Sequence, residues 1–191
     1  MIMNRINWGV VGFLFELFVL TLWVGGLVVI IALVIPAVFN SFGMEPAGRF
    51  LRRIFDGFGL MNVCILVVLG VVAGMRFRTF GSSPSEMFSV SSVEWWLLAG
   101  MTLITFSILV VLGPQAIDLQ EQAFEAVSKE DKDIAYALFF RLHMIVRACH
   151  LVNFGLAASL FIIKVRKILF YQSIHGYSVS ADDDRTTEMR T

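Results

Sequence analysis

Three side chains with acid–base or ligand chemistry, His143, Arg147 and His150, recur at spacings of four and three within one apolar stretch. A helix repeats every 3.6 residues, so the three share a face. Arg141 precedes them and Asn153 follows. An ionisable side chain in hydrocarbon is costly unless it faces protein or water, so function is expected on this face. Imidazoles invite haem or metal ligation. These two, however, are seven residues apart, about 10.5 Å along a helix axis, too far to share one metal ion or to be both axial ligands of one haem. Each would need a partner from another helix, and the remaining histidine, His175, lies in a polar C-terminal stretch. One reading makes His143 and His150 neutral, hydrogen-bonded residues that stitch helices together, with no cofactor and no metal site. The alternative is a haem- or metal-binding membrane redox protein that uses His143 or His150.

The acids that could answer these cations are few. Asp56 and Asp118 fall near the membrane surface at which the histidine-bearing helix begins, so an Arg147 ion pair with either is expected, with Arg141 and His143 nearby. That cluster would be a site or a packing seam. Glu16 is the one acid inside the first apolar run. Counting rise along antiparallel helices puts it level with His150 and Asn153. A buried carboxyl in apolar surroundings holds its proton, which would suit a proton relay; a carboxyl that snorkels to the interface would not.

The elements that position these residues are helices. The 191-residue chain is 58% hydrophobic and 16% charged, with a mean hydropathy of +0.79. A soluble domain is about a quarter charged, so polar surface is too scarce for one. Fifteen basic and fifteen acidic residues balance, which points away from nucleic acid. Two cysteines, Cys64 and Cys149, both in apolar segments, argue against a disulfide framework or a CxxC metal site. Spans are expected at about residues 10–35, 58–75, 95–113 and 142–163, within a membrane domain over 1–171, followed by a disordered polar tail over 172–191. The fold class is all-α, an antiparallel four-helix bundle integral to the membrane. A short amphipathic interfacial helix is expected between spans 1 and 2, where Arg49, Arg52 and Arg53 interleave with Phe50, Leu51, Ile54 and Phe55. Gly9, Gly12, Glu16, Leu20, Trp23 and Leu27 form one stripe of span 1, and Gly70 to Gly74 is a GxxxG motif suited to close packing in the bundle or in a dimer. Trp95 and Trp96, beside Glu94, look like an interfacial anchor. Arg76, Arg78 and Lys164 to Lys167 abut span ends, which favours both termini on the cytoplasmic side.

The order of several short motifs resembles a known family. Leu22-Trp23-Val24-Gly25-Gly26 is followed by Pro36-Ala37-Val38-Phe39, then by the stretch from Ala47 to Phe55, then by Leu112-Gly113-Pro114 and by Arg141-Leu142-His143. Together they resemble the four-helix membrane family grouped with eukaryotic transmembrane protein 205 and its bacterial relatives, a domain of unknown function. Arg141 and His143 match that pattern; Arg147, His150 and Glu16 rest on physical argument alone. A looser similarity is to copper-resistance D proteins and haem-dependent membrane protoporphyrinogen oxidases, which carry more intramembrane histidines. The expectation is a non-enzymatic accessory, structural or stress-tolerance membrane protein. Its partners would be the lipid bilayer and a second copy or a larger membrane complex, with no nucleic acid.

Overall fold

The computed structural model describes residues 2–81 and 88–188, with side chains described for 8–81 and 88–170. The chain is all-α among these residues. Helix α1 (Ile2–Val29) passes through a π-helical turn (Ile30–Val34) into α2 (Ile35–Ser41). Helix α3 covers Met44–Phe80, and α4 covers Ser92–Phe106. A second π-helical turn (Ser107–Leu112) joins α4 to α5 (Gly113–Glu125), and α6 covers Lys129–Glu188. The tail expected over residues 172–191 falls where side chains lie outside the described residues.

Four of these helical stretches, Trp8–Ser41, Met44–Phe80, Ser92–Glu125 and Lys129–Phe170, are long and apolar enough to cross a membrane, which suggests an integral multi-pass protein. Their outward faces carry Val11, Leu14, Phe18, Leu33, Leu60, Val67, Leu103 and Phe106, all exposed. A surface this apolar is unfavourable in water and fits hydrocarbon. At about 1.5 Å per residue, the shortest of these 34- to 42-residue helices is about 51 Å long, so every helix overruns a ~30 Å hydrocarbon core.

Both π turns precede a proline. Pro36 and Pro114 have no N–H to donate and would clash with the carbonyl one turn back. The chain widens instead: Ile35 N–H donates to Ile30 O, and Gly113 N–H donates to Ile108 O, each five residues back. Both helices therefore continue through their prolines.

Consecutive helices run antiparallel around one core. Leu20, Trp23 and Leu27 of α1 meet Phe58, Ile65 and Leu69 of α3, Met101 of α4, and Ala157 and Leu160 of α6. The buried face of α1 is the stripe that the sequence spacing predicts. At Gly9 a Cβ would lie 3.0 Å from the Phe80 ring, and at Gly12 one would lie 3.1 Å from Val72. The GxxxG pair behaves differently: nothing lies within 4 Å of a Cβ built at Gly70 or Gly74, so it makes no close approach inside the bundle.

The structure corrects one element of the expected fold. There is no separate interfacial helix between spans 1 and 2. The turn is confined to Phe42 and Gly43, and α3 then runs unbroken for 37 residues. Pro46 falls in the first turn of α3, where a missing N–H is harmless. The apolar residues Ala47 and Leu51 pack against Val38 of α2 instead of facing lipid. Tertiary burial thus wins over the interfacial amphipathicity of this stretch.

Candidate functional site

The buried charges gather at the end of the bundle where α3 turns into α4. Every long helix contributes: Glu16 from α1, Arg76 from α3, Glu94 from α4, and Lys164 and Lys167 from α6. The first four are 1–3% exposed. Arg76 donates from Nη1 to Glu16 Oε2. Lys164 Nζ bridges the two acids, at 2.7 Å from Glu16 Oε2 and 3.0 Å from Glu94 Oε2. Lys167 Nζ donates to the other Glu94 oxygen at 2.5 Å and is partly exposed. Phe13 lies beneath the cations, with the Arg76 guanidinium carbon 4.9 Å and Lys164 Nζ 5.4 Å from its ring centre. This geometry adds a cation–π attraction on the apolar side.

The network also anchors Phe88 and Ser89, just before α4. Gly81 ends α3 with φ +70°, a conformation that favours glycine. Its carbonyl accepts from Val90 N–H at 3.2 Å, and Val90 is fully buried. Arg76 donates to Phe88 O and Ser89 O, each at 3.1 Å, and Lys167 donates to Ser89 O at 2.8 Å. Those carbonyls lie outside any helix, and buried carbonyls need donors. Glu94 also starts α4 through a capping box with Ser91. Its backbone N–H donates to Ser91 Oγ at 3.3 Å, and its carboxylate accepts from Ser91 N–H at 3.4 Å. Two acids and three cations leave one positive charge, carried outward by Lys167.

The residues singled out from the sequence divide between two places. Glu16 is in the network, partnered by Arg76 and Lys164 instead of His150 or Asn153. Asn153 is buried on α6, and its Nδ2 donates to Thr105 Oγ1 at 2.9 Å. His143 stacks on Phe139, with ring centres 5.4 Å apart, and His150 lies 5.7 Å from the Phe55 ring. Both histidines are half-buried, while Arg141, Arg147, Asp56 and Asp118 are exposed. Among the described residues no ion pair joins Arg147 to Asp56 or Asp118, and no three His, Cys, Asp or Glu side chains converge to hold a metal ion. At that end the described ion pairs are Arg52 with Glu121 at 2.7 Å and Arg49 with Glu45 at 3.2 Å, both solvent-accessible.

Sequence reasoning missed Arg76, Glu94, Lys164 and Lys167 as partners and treated them as interfacial charges. Two signals could have exposed them. Ser91-Ser92-Val93-Glu94 before an apolar run is a capping-box signature. Two acids and three bases also sit at the same end of four antiparallel spans, where opposite charges can pair.

Residues 18–125 match the family described as a domain of unknown function, DUF4149. The chain belongs to this family. The DUF4149 match contains Arg76 and Glu94, while Glu16, Lys164 and Lys167 lie outside it. No curated protein and no solved structure matches the chain.

Proposed function

We propose that this DUF4149 protein is a non-enzymatic accessory, structural or stress-tolerance protein of the membrane, with a bundle locked at one end by the Glu16–Arg76–Glu94–Lys164 network. The observation that carries the reading is that the buried charges do not line the groove between α3 and α4. The network's groups saturate one another and the Phe88 and Ser89 carbonyls. That groove, of about 530 Å³, is lined by Leu66, Gly70, Leu98, Ala99, Thr102 and Phe106, with no titratable group. Catalytic sites place titratable groups in a concavity. The open Gly70 and Gly74 face supports a role as a homo-oligomer or as a subunit of a larger membrane complex. Kinship with the transmembrane protein 205 group and cytoplasmic placement of both termini belong to the same proposal. The placement is supported by the basic residues at the network end. Absorption spectra and metal analysis of the purified full chain test the reading. Protein without a Soret band or stoichiometric copper or iron agrees with it. A stoichiometric cofactor lost on His143 or His150 substitution overturns it in favour of the redox alternative.

A further inference from the structure

The turn from α2 into α3 holds a small second pocket, about 270 Å³, lined by Phe42, Pro46, Arg49, Phe50 and Arg53. Its two arginines are four residues apart on α3 and so project from one face. We propose that this pocket binds the phosphate of an anionic glycerophospholipid at the membrane surface. The inference rests on the reading of the chain as a multi-pass membrane protein.

Position supports it first. The network end is flanked by the exposed Trp95 and Trp96, the aromatic pattern of a membrane boundary. Along α3, Asp56 lies twenty residues before Arg76, about 30 Å, one hydrocarbon thickness. Arg53 and Arg49 therefore sit about 4.5 and 10.5 Å beyond the opposite boundary, in the headgroup layer that their long side chains can reach.

Chemistry supports it second. Guanidinium groups match phosphate oxygens with paired N–H donors. Arg53 makes no ion pair among the described residues; Arg49 pairs with Glu45 four residues back, with both side chains 53% exposed, and its guanidinium carbon lies 5.4 Å from the Phe124 ring centre. An exposed pair of this kind is weak and yields to a better anion. The start of α3 adds the positive end of a 37-residue helix. Phe42 and Phe50 pack with ring centres 6.1 Å apart yet remain about half exposed, and Met44 is more exposed still. Apolar rings beside arginines suit the glycerol and upper acyl carbons below a phosphate. The pocket volume falls below that of drug-sized ligand sites, which fits a headgroup with its chains left in the bilayer.

The test uses the full-length chain extracted from membranes and titrated by native mass spectrometry with phosphatidylglycerol, phosphatidylcholine or inorganic phosphate. Expected is a phosphatidylglycerol adduct that weakens at least about tenfold in Arg49→Gln/Arg53→Gln and stays within about twofold in Arg78→Gln, an exposed arginine at the other end. Phosphatidylcholine should bind about tenfold less tightly, and inorganic phosphate should not displace the lipid. Undiminished binding in the double variant, equal binding of phosphatidylcholine, or occupancy by inorganic phosphate alone overturns the proposal. If the double variant fails to fold, Arg53→Gln decides, because it leaves the Glu45–Arg49 pair intact: a loss of about threefold supports the site and unchanged binding overturns it. Recovery of the wild-type chain in the soluble fraction would instead refute the membrane reading, a result distinct from a membrane-extracted chain that ignores phosphatidylglycerol.

Discussion

Glu16→Gln should destabilise the protein more than Lys164→Met, although both substitutions cut the same contact. The network holds Glu16 and Glu94 against Arg76, Lys164 and Lys167. Removing Glu16 leaves one acid among three cations. Arg76 and Lys164, 3% and 2% exposed, then have only Glu94 to share, at 4.0 and 3.0 Å, and Glu94 must also answer Lys167. Breaking a buried pair from one side costs about 3–5 kcal/mol. Removing Lys164 leaves two acids and two cations: Glu16 keeps Arg76, Glu94 keeps Lys167, and methionine fills the stem's volume. That loss is on the order of one charge-assisted hydrogen bond, roughly 1.5–3 kcal/mol. Unfolding in mixed micelles, followed by circular dichroism against denaturing detergent, measures both variants. Equal losses, or a greater loss for Lys164→Met, would refute the charge-balance reasoning.

Gly113→Ala should cost roughly 1–3 kcal/mol, because its Cβ would lie 2.8 Å from Ile108 O and force the π turn to shift. Gly70→Ala, with open space around its Cβ in the single chain, should leave the monomer neutral or up to about 1 kcal/mol more stable; thermal unfolding of the two variants as detergent-dispersed monomers checks the contrast. Thr105→Val should cost about 0.6–1.7 kcal/mol by stranding Asn153 Nδ2, and Thr105→Val/Asn153→Leu should cost less than the sum of the single changes, measured by the same denaturation assay. Ser91→Ala should cost about 1 kcal/mol or more through loss of the α4 cap, visible as faster amide exchange in the first turn of α4.

Much of the bundle is legible in the sequence because hydrophobic length and helical periodicity are local properties. The Gly9–Leu27 stripe names the buried face of α1 without reference to any other helix. Partnership is not local, and here sequence and structure diverge. A fourth span that stops at about residue 163 leaves Lys164 outside and brings Asn153 and His150 level with Glu16. Helix α6 continues well past that point, so Lys164 is the residue level with Glu16, and Asn153 lies eleven residues, about 16.5 Å, further down. Arg147 illustrates the reverse case. Its depth and the nearby acids invite an ion pair, but the face it occupies points out of the bundle. The interfacial helix fails for a third reason: amphipathic spacing predicts an apolar face and says nothing of whether lipid or the Val38 region of α2 covers it.

A double-mutant cycle between Glu16→Gln and Lys164→Met in the reconstituted full chain measures whether one buried network joins the first and last spans. The two residues are 148 positions apart and meet through the 2.7 Å bond. Direct contact predicts a coupling energy of about 0.5–3 kcal/mol. Strict additivity, with coupling below about 0.3 kcal/mol, would mean that Glu16 and Lys164 do not pair.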